Sequence, residues 1–295
     1  MRLSVIVPNF NGEELLPPLL GSLQSSLSAA QYEWEIIVAD DASTDGSRTL
    51  VAERFPRVRL VVGDQNLGYG GNCNRGAAAA SGEYLAFVNS DISLDGDVFK
   101  PLVEKLEGSS GVFALMPLVF AEALRRVENL QEMWISRGLP WLRPVQDIIV
   151  EDWQEAAGIL GDRLRTAPLC GAFFVCRREH FNELGGFEPA FGRAYWEDVD
   201  LGYRARRMGL ATVICTDAVV RHAHSQTLNR VLGDRGKRRS LLRNQALFLR
   251  RNLDLLRPVP WYRLYLLLRI PQRMLSGDWG TIPHYLSMAF GAAPQ

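Results

Sequence analysis

The chain has 295 residues, 47% hydrophobic and 22% charged, with 33 Lys and Arg balanced by 33 Asp and Glu for a formal net charge of zero. That length and apolar content suit a globular α/β domain with an appendage, and the even charge gives no ground for a nucleic-acid partner. No run reaches the ~20 uninterrupted apolar residues of a membrane-spanning helix; the best, Gly111–Ala121, is short and holds Pro117.

The first strand-like run, Leu3–Val7, follows the N-terminus without the basic stretch and apolar core of a secretion signal, which points to the cytoplasm. Asn11 then reads as a helix cap with Glu14 three residues on, ahead of Leu15, Leu16, Leu19, Leu20 and Leu23 at core-facing spacing. Further apolar runs at Glu35–Ala39, Val58–Val62 and Tyr84–Val88 alternate with helical patterns, the rhythm of βαβ units and a largely parallel sheet. Val112–Val119 predicts another strand. The segment 121–165, with Trp134, Trp141 and Trp153, fits no period and receives no assignment. From Leu169, "CGAFFVCRREHFNELGGF" predicts a buried strand, a short amphipathic helix and a stop at Gly185–Gly186, followed by an acidic loop and a helix over Val199–Met208. The tail over 237–275 reads as helical, with breaks at Pro258, Pro260 and Pro271, and residues 225–275 hold twelve Lys and Arg against two Asp and Glu. Cysteines 73, 170, 176 and 215 lack CxxC spacing and read as buried thiols.

Ligands of open α/β sheets sit beyond the carboxyl ends of the strands, and here those ends are polar: "PNFNG", "ADDASTDGS", "GDQNLGYGGNCNRG" and "NSD". Asp40 and Asp41 suit hydrogen bonds to a nucleobase imide or ribose hydroxyl, and equally the capping of the helix after Ser43. Asn66–Gly76 suits close approach of backbone to a ligand, but Cys73 stands where the third glycine of G-x-G-x-x-G belongs, and no G-x-x-x-x-G-K-[ST] occurs. Asp91 is a hard ligand for Mg²⁺ or Mn²⁺, or a helix cap. In "YWEDVDLGYRARR" the carboxylates of Glu197, Asp198 and Asp200 complement a helix dipole, and their mutual repulsion is also a device for keeping a base near working pH. His222 and His224 follow the apolar Ala218–Val220 as metal ligands or as structural histidines.

Taken in order, "VIVPNFNG", "VADDASTDGS", "NLGYGGNCNRG", "EYLAFVNSD", "CGAFFVCRREHFNELGGF" and "WEDVDLGYRARRMG" resemble the successive blocks of family 2 glycosyltransferases, above all the bacterial rhamnosyltransferase-like subgroup, over roughly residues 1–225. The resemblance implies the GT-A fold, an α/β/α sandwich around a mostly parallel central sheet. It implies a catalytic domain over 1–225, with 121–165 as a variable acceptor region, and a basic, mainly helical extension over 226–295. By the same likeness Pro8, Asp40 and Asp41 frame the donor nucleoside, with Asn9, Asn11, Asn66, Gly70, Asn72 and Asn89 as further donor-binding candidates. Asp91 belongs to a DxD-like metal site for Mn²⁺ or Mg²⁺, His222 is a further ligand, and Asp198 is the catalytic base beside Glu197.

The implied reaction is inverting transfer from a UDP- or dTDP-sugar, dTDP-rhamnose among them, to a hydroxyl of a glycan or lipid-linked acceptor in cell-surface polysaccharide assembly. Two departures stand out: "NSD" offers one carboxylate where a full DxD has two, and "GGFEPAFGRAYWED" lacks the usual Asp-Glu pair after Gly-Gly-Phe, so Glu188 receives no catalytic role. The alternative is a catalytically silent sugar-nucleotide-binding subunit of a glycan synthase, against which Asp198 and Asp91 occur together. A nucleotidyltransferase would carry a Gly-rich, Arg/Lys-bearing loop after the first strand, and "PNFNG" is not one. The basic tail, Arg interleaved with Leu, Tyr and Trp, suits either peripheral association with anionic lipid at the inner face of the membrane or an amphipathic helix packed on the domain.

Overall fold

The apolar runs of the first ninety residues pair side by side. In a computed structural model that describes residues 2–28, 32–121, 126–136, 139–144, 167–223, 226–252, 261–275, 277, 279–283 and 285–286, strands β1 (Arg2–Asn9), β2 (Glu33–Asp40), β3 (Arg59–Val62) and β4 (Tyr84–Val88) lie in the order β3-β2-β1-β4, all parallel. Helices α1 (Leu16–Ser28), α2 (Ser47–Arg54) and α3 (Gly68–Ala79) make the crossovers. Alternate residues of β1 supply two cores: Val5 and Val7 pack with Leu16, Leu19, Leu20 and Leu23, while Ile6 faces the layer of Phe87, Phe174 and Phe187. Phe87 stacks on Phe174 at 4.8 Å and meets the edge of Phe187 at 5.6 Å.

The second half of the sheet is mixed in direction. Strand β10 (Phe173–Arg177) enters antiparallel beside β4, starting with Phe173 opposite Val88 at the carboxyl end of that strand. Beyond it come β6 (Val112–Ala121), β11 (Ala211–His222), parallel to β6, and the edge strand β5 (Ile92–Leu94). Helix α4 (Phe99–Glu107) covers the first core layer, and α5 (Arg178–Glu183) and α6 (Glu197–Arg207) bring Phe181 and Leu201 to the second. The Gly185–Gly186 stop is present, with φ of 74° and 68°. The helix expected from Val199 begins two residues earlier, which places both Glu197 and Asp198 in its first turn.

Asn11 does not cap α1. Its φ is 50°, its side-chain oxygen accepts the Thr44 N–H at 2.8 Å, and the helix starts at Leu16 after a turn in which Leu15 and Leu16 donate to Gly12 O. Pro17 and Pro18 in the first helical turn carry no N–H to cap. In the segment left unassigned, β7 (Arg126–Val127) pairs with β6, and β8 (Gln131–Ser136) with β9 (Leu139–Pro144) forms a hairpin that sets Trp134 opposite Trp141; Trp153 lies outside the described residues.

The tail is helical, as α7 (Gln226–Arg251), interrupted at Gly233, and α8 (Trp261–Leu275). Pro271 sits inside α8 instead of ending it, since Leu266 and Ile270 are held by packing against Leu242, Ala246 and Leu249 of α7. Pro258, Pro260 and His224 lie outside the described residues. Cys73, Cys176 and Cys215 are buried and Cys170 half-buried, all four as free thiols.

Candidate active site

A cavity of about 340 Å³ opens where the carboxyl ends of β1 and β4 meet the first turns of α3 and α6. Pro8, Asn9, Asp41, Asn66, Asn72, Asn89, Asp91, Glu197, Asp198 and His222 line it, so most of the residues singled out in the sequence share one space. Three do not. Asn11 lies in a separate surface cleft with Glu13, Thr44 and Asp45, and Gly70 serves packing, since a Cβ there would stand 3.0 Å from that of Phe187. Asp40 is turned away from the cavity, its carboxylate accepting from Arg48 Nε at 2.6 Å, Asn9 Nδ2 at 2.9 Å and Ser43 N at 3.0 Å. Burial alone would raise its pKa, but the Ser43, Arg48 and Asn9 donors override burial and hold it below the ordinary value.

Asp41 reaches the cavity wall with both oxygens engaged. Oδ1 accepts the Leu67 N–H at 2.8 Å and Oδ2 the Gly68 N–H at 2.9 Å, which ties the glycine-rich loop to the end of β2. Asn72 donates to Ala39 O at 2.6 Å. By contrast, Asn9 Oδ1 and Asn89 Oδ1 are buried with no hydrogen-bond partner among the described residues, a cost that a ligand's donor or a cation would offset.

Beside Asn89, His222 is sandwiched between carboxylates. Its Nε2 stands 3.0 Å from Asp91 Oδ1 and its Nδ1 bonds Glu128. Burial lowers the imidazole pKa, but Asp91 and Glu128 override it and push the value up to about 10. Among the described residues no three His, Cys, Asp or Glu side chains form a closed metal cage. Asp91, the orphaned Asn89 oxygen and, once an ion replaces the proton on its Nε2, His222 offer instead an open O/N donor set of the kind Mn²⁺ and Mg²⁺ accept, with room for phosphate oxygens and water, and Glu128 orients the imidazole from its far nitrogen. The residues fit such an ion.

Across the cavity Asp198 accepts the Gly171 N–H at 2.7 Å and the Val199 N–H at 2.8 Å. Burial raises its pKa, and the backbone donors only partly oppose that. Glu197 is 6% exposed and its Oε2 has no partner among the described residues; burial first, then the neighbouring Asp198, raise its pKa strongly. Asp200, the third member of the acidic run, is turned away and pairs with Arg204 at 2.8 Å and Arg251 at 3.4 Å. Glu188 likewise pairs with Arg251, at 2.6 Å.

Several contributors escaped the sequence reading. Tyr69 donates to Gly171 O at 2.5 Å, steadying the peptide that holds Asp198, and its only sequence signal was its place inside "NLGYGG". Glu128 falls in the stretch without periodicity. Tyr195 and Trp196 both have φ of 74°, a backbone state that no composition rule assigns to two aromatic residues.

A family model described as "Glycosyl transferase family 2" matches residues 4–185. An N-acetylglucosaminyl-diphospho-decaprenol L-rhamnosyltransferase of Mycobacterium tuberculosis is 29% identical over 239 residues, which are 70% of this chain and 73% of that protein. Among solved structures, GalNAc-T7 with UDP, GalNAc and Mn²⁺ superposes with a TM-score of 0.62 at 16% identity, over 84% of this chain but only 47% of that one. S. aureus TarS in complex with UDP-GlcNAc gives 0.61 at 18% identity, over 100% and 82%.

Proposed function

This chain belongs to glycosyl transferase family 2 and has the GT-A fold, and on that premise we propose that it moves one sugar, with inversion, from a nucleoside-diphosphate donor to an acceptor hydroxyl. The observation that carries the reading is the placing of Asp198, half-buried and held by two N–H groups, on the same cavity as Asp91, His222 and Asn89. Donor binding falls to Pro8, Asn9, Asp41, Asn66, Asn72 and Asn89, and the orphaned Asn9 Oδ1 suits a nucleobase imide.

Asp198 takes the proton of the acceptor hydroxyl while the oxygen bonds the anomeric carbon. That carbon's bond to the diphosphate oxygen breaks, the electron pair leaves with the diphosphate, and attack from the opposite face inverts the centre. A Mn²⁺ or Mg²⁺ ion on Asp91 and His222 supplies, when bound, positive charge to the diphosphate. Leu169, Leu142, Leu241 and Trp196 at the wall limit access of water to the reacting centre.

The M. tuberculosis relative, an L-rhamnosyltransferase acting on N-acetylglucosaminyl-diphospho-decaprenol, supports transfer of rhamnose to a lipid-linked acceptor; with it we take the donor to be a dTDP- or UDP-sugar, dTDP-rhamnose among them, and the setting to be cell-surface polysaccharide assembly. The relative supports with them work at the membrane surface. No described helix is long and apolar enough to cross a membrane, yet exposed apolar side chains gather on the β8–β9 hairpin and the C-terminal helices.

Calorimetric titration with UDP, dTDP and GDP, with and without Mn²⁺, is expected to show metal-dependent binding of one nucleotide that Asp91→Ala abolishes. Incubation of the matching sugar nucleotides with N-acetylglucosaminyl-diphospho-polyprenol is expected to release nucleoside diphosphate and give a product of opposite anomeric configuration. Binding without turnover of any donor would make the chain a silent subunit.

A further inference from the structure

Just before Asp198 the backbone takes a course that large side chains avoid. Gly192 turns left-handed with φ of 69°, and Tyr195 and Trp196 follow it there at 74° each. Left-handed conformations of non-glycine residues are strained and persist only where surrounding structure imposes them.

The surrounding structure here is α7, which lies beyond the stretch matched by the family model. Asn244, with no exposed surface, brings its side-chain amide nitrogen to 2.7 Å from Phe191 O, 2.7 Å from Ala194 O and 2.9 Å from Tyr195 O. Its two amide hydrogens thus serve three converging carbonyls, so the whole donor capacity of the side chain is spent on one turn. Ser240 Oγ adds a bond to Ala194 O at 3.0 Å and Arg243 one to Ala190 O at 2.9 Å. One turn further on, Phe248 packs against the Trp196 ring at 5.0 Å. From the far side, a Cβ on Gly68 would meet Gly192 O at 2.1 Å, so the turn is closed in by α3 as well.

We infer that Asn244 is a positioning residue: from α7 it fixes the left-handed Tyr195–Trp196 turn and so aims Asp198 into the cavity. The inference rests on the reading of Asp198 as the base. Without the three donor contacts the turn relaxes toward the right-handed region and the first turn of α6 rotates, taking Asp198 off the Gly171 N–H. The donor contacts of Asn9, Asn72 and Asn89 come from β1, α3 and the end of β4 and are untouched. Loss of Asn244 therefore acts on turnover and on the protonation of the base, not on nucleotide affinity.

Asn244→Asp is the discriminating variant, since it keeps the shape and presents an acceptor to three acceptors. Phe248→Leu is the comparison, because it loosens the same interface without removing a donor. In the full chain, Asn244→Asp is expected to exchange its amides over 193–199 at least ~10-fold faster, with those of β1 and β4 unchanged, and to keep UDP and dTDP affinity in Mn²⁺ within about threefold. With dTDP-L-rhamnose and N-acetylglucosaminyl-diphospho-polyprenol, its kcat is expected to fall about 10- to 100-fold and the midpoint of its pH–rate profile to move. Phe248→Leu is expected to lower Tm and leave that midpoint in place.

Parental exchange over 193–199 in Asn244→Asp overturns the inference, and so does a kcat and pH profile no different from those of Phe248→Leu. Should that donor and acceptor pair give no turnover, the exchange measurement decides alone. Asp198→Asn separates the two levels: parental turnover in that variant sinks the base and the positioning role together. An inactive Asp198→Asn beside a parental Asn244→Asp sinks the positioning role only.

Discussion

Glu197 and Asp198 are neighbours in the chain and meet different surroundings, and their protonation follows from that difference. Asp198 has two backbone N–H donors that favour its charged form, whereas Glu197 has an oxygen with no partner and a second carboxylate beside it. The proton held by the pair therefore resides chiefly on Glu197, and Asp198 is the member free to accept one. Asp198→Asn is expected to lower kcat by about 10²–10⁴ with nucleotide affinity unchanged, as calorimetry and steady-state rates would show. Because burial holds the base above the ordinary carboxylate value, the rate in the parent should climb with pH through a midpoint higher than that of an ordinary aspartate. The stability effect of Glu197 has the opposite sense. A carboxyl whose pKa is raised on folding favours the folded state below its unfolded value and loses that contribution as pH rises through the folded one. Glu197→Gln escapes this loss, so its Tm should gain on that of the parent as melts are run at increasing pH from acid to alkaline. A gap that is constant with pH would mean that Glu197 is not the buried protonated partner.

At the scale of elements, the strands were legible because a parallel strand buried on both faces is a continuous apolar run, and the polar clusters that end those runs are also the walls of the site. Tyr84–Val88 emerges with both ends as expected, and β1 and β2 only lengthen by a residue or more at either end. Asp41, Asn89 and Asp91 were findable for the same reason: a strand end is a position that periodicity reveals, whereas Asn72, on α3, came only with the family resemblance. Asp40 was not separable from Asp41 by that route, since which of two adjacent carboxylates turns inward depends on the pleat and on Arg48 eight residues away. Illegible altogether were the pieces that depend on long-range contact, among them Glu128 against His222 and the left-handed turn before α6. Gly68 joins two such pieces, with φ of 75° at the start of α3 and the Gly192 carbonyl where a Cβ would go. Gly68→Ala is accordingly expected to cost about 2 kcal/mol or more in chemical denaturation, through both the backbone conformation and a collision with main chain that cannot rotate away. An alanine tolerated within 0.5 kcal/mol or so would show that the turn yields, and would weaken the case that it is rigidly held.

For the molecule as a whole, charge and apolar surface are unevenly spread. The formal charge of the full chain is zero, yet residues 225–275 carry an excess of ten positive charges, twelve less two. Leu264, Leu268 and Leu275 are exposed on α8, Trp279 follows it, and Trp134 and Trp141 are exposed on the hairpin; that hairpin is joined to α7 through Gln245 and Pro140, and its Leu142 lines the cavity. An amphipathic helix with tryptophans and a basic background is the composition that settles in the headgroup region of an anionic bilayer, and it would bring the cavity toward an acceptor anchored there. Vesicles of phosphatidylglycerol and phosphatidylcholine should sediment the protein at low ionic strength and release it at high salt, because surface attraction is screened over about 8–10 Å at physiological ionic strength. Neutral vesicles should retain much less. Leu268→Glu sets a charge on the exposed face of α8 without entering the Leu242–Leu266 packing, so it should abolish sedimentation while leaving Tm near that of the parent. Sedimentation that is absent at low salt, or that survives Leu268→Glu, would remove this face as the membrane contact and leave α8 as a helix that only packs on the domain.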